Sequence, residues 1–325
     1  MNTTDDNTAN KEECTSCEQS NNLDNITEGI DSVAILNNVM FACASCGKEG
    51  NSEDMNTCNK CKSVKYCNAA CKKKHRTKHK KACERRAAEL HDKQLFKEPP
   101  PREECPICML TLPINANQSV FKSCCGKTIC NGCRFAMFMS EEKDLCAFCR
   151  MPPPSSAEES IKRLKNLMDK GNGEAIYNLG GHYDEGTLGL PQDYQKANEL
   201  YLTGGELGCA DAYYNLGISY DNGNGVEVDK KKAKYYYELA AMCGHIKARH
   251  NLGCSEGAAG NEQRAYRHMI IAARGGSKES LDMVKEGFKQ GFVTKDEYAN
   301  TLRACHERQR EMKSKERDTV ALIRM

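Results

Sequence analysis

Residues 43–83 read CASCGKEGNSEDMNTCNKCKSVKYCNAACKKKHRTKHKKAC. Eight metal-type ligands stand in that stretch: Cys43, Cys46, Cys58, Cys61, Cys67, Cys71, His79 and Cys83. As spacings they run C-x2-C, C-x2-C, C-x3-C and H-x3-C. The four pairs complete two tetrahedral zinc sites and leave no coordination position open. A closed site holds structure and does not activate water. Each C-x2-C pair makes a tight knuckle. The C-x3-C and H-x3-C pairs place two ligands one helical turn apart, on one face of a short helix.

The segment CKSVKYCNAACKKKHRTKHKKAC resembles a MYND zinc finger. The resemblance implies interleaved pairs, with Cys43, Cys46, Cys67 and Cys71 on one zinc and Cys58, Cys61, His79 and Cys83 on the other. Members that bind proline-containing peptides usually carry Gln after the sixth ligand and Trp three residues before the His. Here Lys72 and Arg76 hold those positions, and the chain has no Trp. A basic face replaces the aromatic wall against which a proline stacks, so Lys72 and Arg76 are candidate partner contacts. From Lys60 to Arg86 twelve Lys or Arg face one acid, Glu84. This run offsets thiolate charge and coats a solvated helix face. The alternatives are a nuclear import signal in KKKHRTKHKK or a patch for an acidic partner. Apart from Tyr66 no aromatic is interleaved with the charges, so nucleic-acid binding is not expected.

Length allows about two to four small domains. Mean hydropathy is −0.70, and no apolar run approaches the roughly 18 residues of a membrane span. The start, MNTTDDNTANKEECTSCEQSNN, lacks the basic and apolar stretches of a signal peptide. The expected location is intracellular, in cytoplasm, nucleus or both, where the 21 cysteines are metal ligands and not disulfides. Four zinc ions on fifteen thiolates would take the formal charge from +2 to about −5. Residues 1–40 have the polar, acidic composition of disorder. Cys14 and Cys17 form a lone C-x2-C within them.

After FKEPPPRE the cysteines resume as Cys105, Cys108, Cys124, Cys125, Cys130, Cys133, Cys146 and Cys149. The proline run should be stiff and extended, a spacer between separate beads. ECPICMLTLP, CCGKTICNGC and LCAFCRMPPP together resemble a RING finger. That resemblance implies one zinc on Cys105, Cys108, Cys130 and Cys133, and a second on Cys124, Cys125, Cys146 and Cys149. Lys127 occupies the usual His position, so an all-cysteine site is expected, with some backbone strain where Cys124 and Cys125 are adjacent. RING domains commonly position the thioester of a ubiquitin-conjugating enzyme. Ile107 matches the usual apolar contact to that enzyme and Arg150 the bridging basic residue. Ala147 stands where a proline is usual, and Arg134 where an aromatic is frequent.

Beyond MPPPSS the chain repeats itself. GEAIYNLGGHYDEG, CADAYYNLGISYDNG and IKARHNLGCSEG are versions of one phrase, and Leu179, Leu216 and Leu252 recur at intervals of 37 and 36. Each phrase leads to a second helical stretch: DYQKANELYLTGGELG, DKKKAKYYYELAAMCG and NEQRAYRHMIIAARGG. Ala212, Leu216 and Tyr220 make one apolar stripe, and Ala233, Tyr236, Tyr237, Ala240 and Ala241 its partner. Gly217 permits close approach, Gly244 suits a helix C-cap, and Asp229 an N-cap. One hairpin cannot bury its own apolar face, so stacking is what folds it. The pattern resembles Sel1-like repeats, with a divergent fourth hairpin from Ser277 to Ala304 whose second N-cap is Thr294. Tyr213, Tyr214 and Tyr235 read as core or inter-repeat packing. The histidines other than His79 read as surface residues.

The expected fold is multi-domain: a small zinc-stapled MYND finger, a small zinc-stapled RING-like α+β module, then an all-α helical-hairpin solenoid. Its boundaries are a disordered segment 1–40, the finger 41–85, a proline-containing linker 86–103 and the RING-like module 104–151. A linker 152–170, the repeat array 171–306 and a charged tail 307–325 follow. The expected function is a zinc-binding adaptor with protein partners, no membrane contact and no catalytic residue. The alternative is a RING-type ubiquitin ligase, partnered by a ubiquitin-conjugating enzyme, with the repeats as substrate receptor.

Overall fold

The computed structural model describes residues 40–140 and 145–323. The disorder expected of the N-terminus and the Cys14–Cys17 pair fall outside these residues. The chain forms two compact units, one within residues 21–97 and one containing residues 98–325.

In the first unit β1 (Phe41–Ala42) pairs antiparallel with β2 (Glu49–Gly50), and β3 (Asn56–Thr57) with β4 (Lys65–Tyr66). Each hairpin encloses a C-x2-C knuckle. Helix α1 (Ala69–Leu95) follows, and the Asn68 side chain caps it by accepting from the Cys71 amide. The helix runs ten residues past 85, into the expected linker. The segment ERRAAELHDKQL lacks Gly and Pro, and Arg86 and Glu89 pair one turn apart at 2.9 Å.

The second unit opens with the second cysteine module. Its strands β5 (Ser119–Lys122) and β6 (Lys127–Cys130) pair antiparallel from Ser119–Cys130 to Lys122–Lys127, and α2 (Asn131–Phe138) follows. The stretch expected as linker 152–170 contains a helix, α3 (Ala157–Met168), capped by Ser156. Its amphipathic face explains this: Ile161, Leu164, Leu167 and Met168 pack against Ile176 and Leu179, and Phe121 of β5 joins the same core. Module and repeats therefore share buried apolar surface.

The array alternates α4 (Gly173–Glu185), α5 (Tyr194–Glu206), α6 (Ala210–Asn222), α7 (Lys230–Met242), α8 (Ile246–Ala258) and α9 (Glu262–Arg274). Helices α10 (Lys278–Lys289) and α11 (Lys295–Glu311) close it, and Thr294 with Glu297 makes a full capping box on α11. The expected apolar stripes lie inside: Ala212, Leu216, Ala233, Tyr237, Ala240 and Ala241 are buried. A packing rule recurs in each hairpin. A glycine of the first helix receives a large side chain of the second, as Gly180 does Tyr201, Gly217 does Tyr237 and Gly253 does Met269. Tyr213 is buried and Tyr214 stacks on His245. Tyr235 departs from expectation: it lies edge-on to Tyr236 and is 44% exposed.

Two further segments pack where the sequence suggests none. Pro100, in the expected spacer, rests on the array, with its Cγ 3.5 Å from where a Cβ on Gly244 would stand. The expected charged tail holds a helix, α12 (Lys315–Ile323), packed against α2.

His268 corrects the expectation of surface histidines, since it is fully buried on α9. Burial, with Arg249 and Arg264 nearby, pulls its imidazole from an ordinary 6.5 to about 3. Between those values only the unfolded chain takes the proton. Stability is therefore intact above about pH 6.5 and falls as pH drops toward 3, by at most about 1.4 kcal/mol per pH unit. His268→Gln should flatten this acid limb. Urea midpoints of variant and wild type, differenced at each pH to cancel losses in the zinc modules, check it.

Candidate zinc centres

Four quartets of ligand atoms lie within 4.8 Å of one another: Cys43, Cys46, Cys67 and Cys71; Cys58, Cys61, His79 and Cys83; Cys105, Cys108, Cys130 and Cys133; and Cys124, Cys125, Cys146 and Cys149. Sulfur separations include 3.6 Å for Cys46–Cys67 and Cys67–Cys71, 3.7 Å for Cys58–Cys83 and Cys125–Cys146, and 3.9 Å for Cys108–Cys130. A tetrahedron with Zn–S bonds of about 2.3 Å has edges of about 3.8 Å. A disulfide would bring two sulfurs to about 2.05 Å. The quartets fit zinc and leave no vertex for water.

One backbone device builds the first half of every site. After each C-x2-C pair the next residue turns left-handed: Gly47 at φ 75°, Lys62 at 53°, Met109 at 56° and Arg150 at 58°. Its amide donates to the carbonyl of the first cysteine at 2.8–2.9 Å in all four knuckles. The turn aims interior amides at the first sulfur. Cys43 is held down to about 6, chiefly by the Cys67 amide and then by those of Ser45 and Cys46. Burial opposes this at Cys43 and is the largest cause in the other knuckles, yet backbone amides, joined by side-chain contacts such as His79 on Cys58, hold Cys58 and Cys146 to about 6 and Cys105 to about 7. The knuckle thus favours the thiolate that a metal needs.

Helices contribute to the second halves of three of the four sites, and the β5–β6 turn supplies the fourth. In the finger, α1 carries Cys71, His79 and Cys83, and His79 Nε2 lies 3.3 Å from Cys61 Sγ. His75 stacks on His79 at 5.7 Å between ring centroids, and its Nδ1 meets the Tyr66 hydroxyl at 3.2 Å. Tyr66 is 1% exposed, so it supports the histidine pair and offers no stacking face to a base. In the second module Cys124 and Cys125 sit at the β5–β6 turn. Neither has positive φ; Gly126 takes that role at 71°. The strain expected of adjacent cysteines is thereby absorbed by glycine. Lys127 places its ammonium 4.8 Å from the Phe148 ring centre.

Among the candidate partner contacts, Ile107 is 38% exposed on its knuckle, Arg76 and Arg150 are exposed, and Lys72 is half-buried. The structure adds residues that spacing does not reveal, namely His75, Asn68 and, on α12, Arg317. The first of these lies one turn before His79, a visible signal; Arg317 carries none.

A family model for the MYND finger matches residues 43–83, and one for the Sel1 repeat matches 173–209, 210–245 and 246–277. The chain carries a MYND finger and three Sel1 repeats. The Sel1 matches begin at α4, α6 and α8, so each spans one helical hairpin. An uncharacterized protein of Neisseria meningitidis serogroup B is 31% identical over 91 residues, 28% of this chain and 19% of that protein. The chain therefore spans less than a fifth of that relative's length. A Sel1 repeat protein from Oxalobacter formigenes is similar in structure over 46% of this chain and 64% of its own, at 26% identity and TM-score 0.40. A protective antigen of uropathogenic Escherichia coli with an SLR fold matches over 47% and 34%, at 26% identity and TM-score 0.41. Among the described residues no helix is long and apolar enough to cross a membrane.

Proposed function

We propose that this protein is a zinc-dependent adaptor that joins partners of its MYND finger to partners of its Sel1 array, inside the cell. The observation that carries the reading is that each ligand quartet supplies four protein donors. Such sites staple recognition surfaces and do no chemistry on a bound water. Sel1 repeats are protein-interaction modules, and stacked hairpins present an extended face for a protein. The exposed lysines and arginines of α1 favour an acidic partner for the finger.

Photo-cross-linking in cells tests this through two variants that damage different parts. Cys61→Ala should lose one set of cross-linked partners and Gly217→Val another. If both lose the same set, or neither loses any, the adaptor reading fails. The ligase alternative draws support from the exposure of Ile107 on the Cys105–Cys108 knuckle. Discharge of ubiquitin from a charged conjugating enzyme, abolished by Ile107→Ala, would put the ligase in the adaptor's place.

A further inference from the structure

The quartet Cys105, Cys108, Cys130 and Cys133 has a neighbour from far along the chain. Arg317, on α12, directs Nη2 to Cys108 Sγ at 3.3 Å and to the Leu110 carbonyl at 3.2 Å. Its Nη1 donates to the Thr111 carbonyl at 2.7 Å and to that of Met312 at 2.8 Å. The helix backbone is fitted as closely as the side chain. A Cβ on Gly132, in α2, would stand 2.8 Å from the Arg317 amide nitrogen. Only glycine admits this approach.

We propose that Arg317 is an outer member of this zinc centre, and that zinc occupancy and docking of α12 are thermodynamically coupled. Four thiolates around one Zn2+ carry a net charge of about −2, and a guanidinium on one sulfur offsets part of it. The same guanidinium is gripped by two carbonyls of the knuckle. The knuckle holds its shape through the hydrogen bond that the Cys105 amide donates to the Leu110 carbonyl at 2.9 Å and through ligation of Cys105 and Cys108. When zinc leaves, nothing ties Cys105 and Cys108 together, and the Leu110 and Thr111 carbonyls that grip the guanidinium lose the staple that aligns them. Helix α12 is left with a weakened seat.

Linkage makes the effect reciprocal. Whatever factor zinc contributes to α12 docking, α12 contributes to zinc affinity. Outer partners of metal ligands are typically worth about 10- to 100-fold in affinity. The coupling stands whether or not the module recruits another protein.

Two measurements on the full-length, zinc-loaded protein test it. In the first, a chelator competes for metal while a thiol reagent labels freed cysteines, read residue by residue by mass spectrometry. Arg317→Leu should speed labelling of Cys105, Cys108, Cys130 and Cys133 by about 10- to 100-fold and leave the MYND cysteines at the wild-type rate. Arg317→Lys, which keeps charge but loses the planar fork, should fall between. Labelling of this quartet at the wild-type rate in Arg317→Leu would overturn the proposal. The second needs no variant and decides the matter if Arg317→Leu does not fold. Hydrogen exchange across residues 315–323 is followed as zinc is stripped from the wild type. Protection should fall in step with labelling of Cys105 and Cys108. Protection that survives emptying of the quartet would overturn the coupling.

Discussion

Cys61→Ala should cost the MYND finger one zinc and the fold of the unit that contains it. Cys61 is 1% exposed, lies 3.3 Å from His79 Nε2 and meets the Ser63 hydroxyl at 3.0 Å. The buried core around it consists of Cys43, Met55, Cys58, Cys61, Tyr66 and Cys83. Four of these six are ligands, so little apolar surface remains to hold the chain once metal is gone. Burying a side chain such as Met55 contributes about 1.5–3 kcal/mol. A structural zinc in a small finger is worth about 10–16 kcal/mol. The metal term dominates, and a three-donor remnant cannot replace it. Native mass spectrometry should show at least one zinc fewer per chain, and the amide NMR signals of residues 40–95 should collapse toward random-coil positions. Signals of the Sel1 array should persist, because that unit has its own core. Retention of every zinc and of dispersed finger signals would contradict this account.

Gly217→Val should destabilise the array by about 3 kcal/mol or more, at the upper end for overpacking. A Cβ at Gly217 would stand 2.6 Å from Cδ1 and Cε1 of Tyr237, closer than side chains pack. Tyr237 is buried, so the ring has nowhere to retreat and the two helices must part. Replacing a mid-helix glycine by alanine would by itself favour the helix by about 1 kcal/mol, so any loss in Gly217→Ala measures the clash against that gain. The third hairpin supplies the contrast. At Gly253 the neighbour is the terminal methyl of Met269 at 2.7 Å, the free end of a flexible side chain, and Gly253→Ala should be tolerated far better. Urea midpoints of both variants decide the point. Removing the ring in Gly217→Ala/Tyr237→Ala should recover part of the loss in a double-mutant cycle. Equal effects at Gly217 and Gly253 would count against the contrast drawn between a buried ring and a flexible methyl.

Ligand spacing and repeat period were the legible parts of this chain, because both are local and regular. C-x2-C forces a knuckle wherever it occurs, and a phrase that returns every 36 or 37 residues must stack to bury its stripe. The burial of His268 is legible from its neighbours. It lies on the same face of α9 as Ala265, Met269 and Ala272, all buried, and a polar residue on an apolar stripe goes inside with it. The segments expected to be linkers and tail differ in kind. Helix α3 is amphipathic but short, and it follows the prolines of MPPPSS directly, in a stretch expected to be a linker. Pro100 on Gly244 and Arg317 on Cys108 are matches between distant surfaces. No period or spacing in either partner announces them.

The seat of Arg317 also orders events in time. Thr111 and Arg317 are 206 residues apart in the chain, and every Sel1 repeat is made in between. At ribosomal rates of about 5–20 residues per second, that interval lasts roughly 10–40 s. Contacts of such long range are the slow ones in folding, since the loop must close before they form. The cysteines of the second module can gather zinc early, while the knuckle still lacks its guanidinium. The MYND finger has no such wait, because its ligands lie within 41 residues of one another. The two zinc modules of one polypeptide thus mature on different clocks, and the order of synthesis sets when the second is finished.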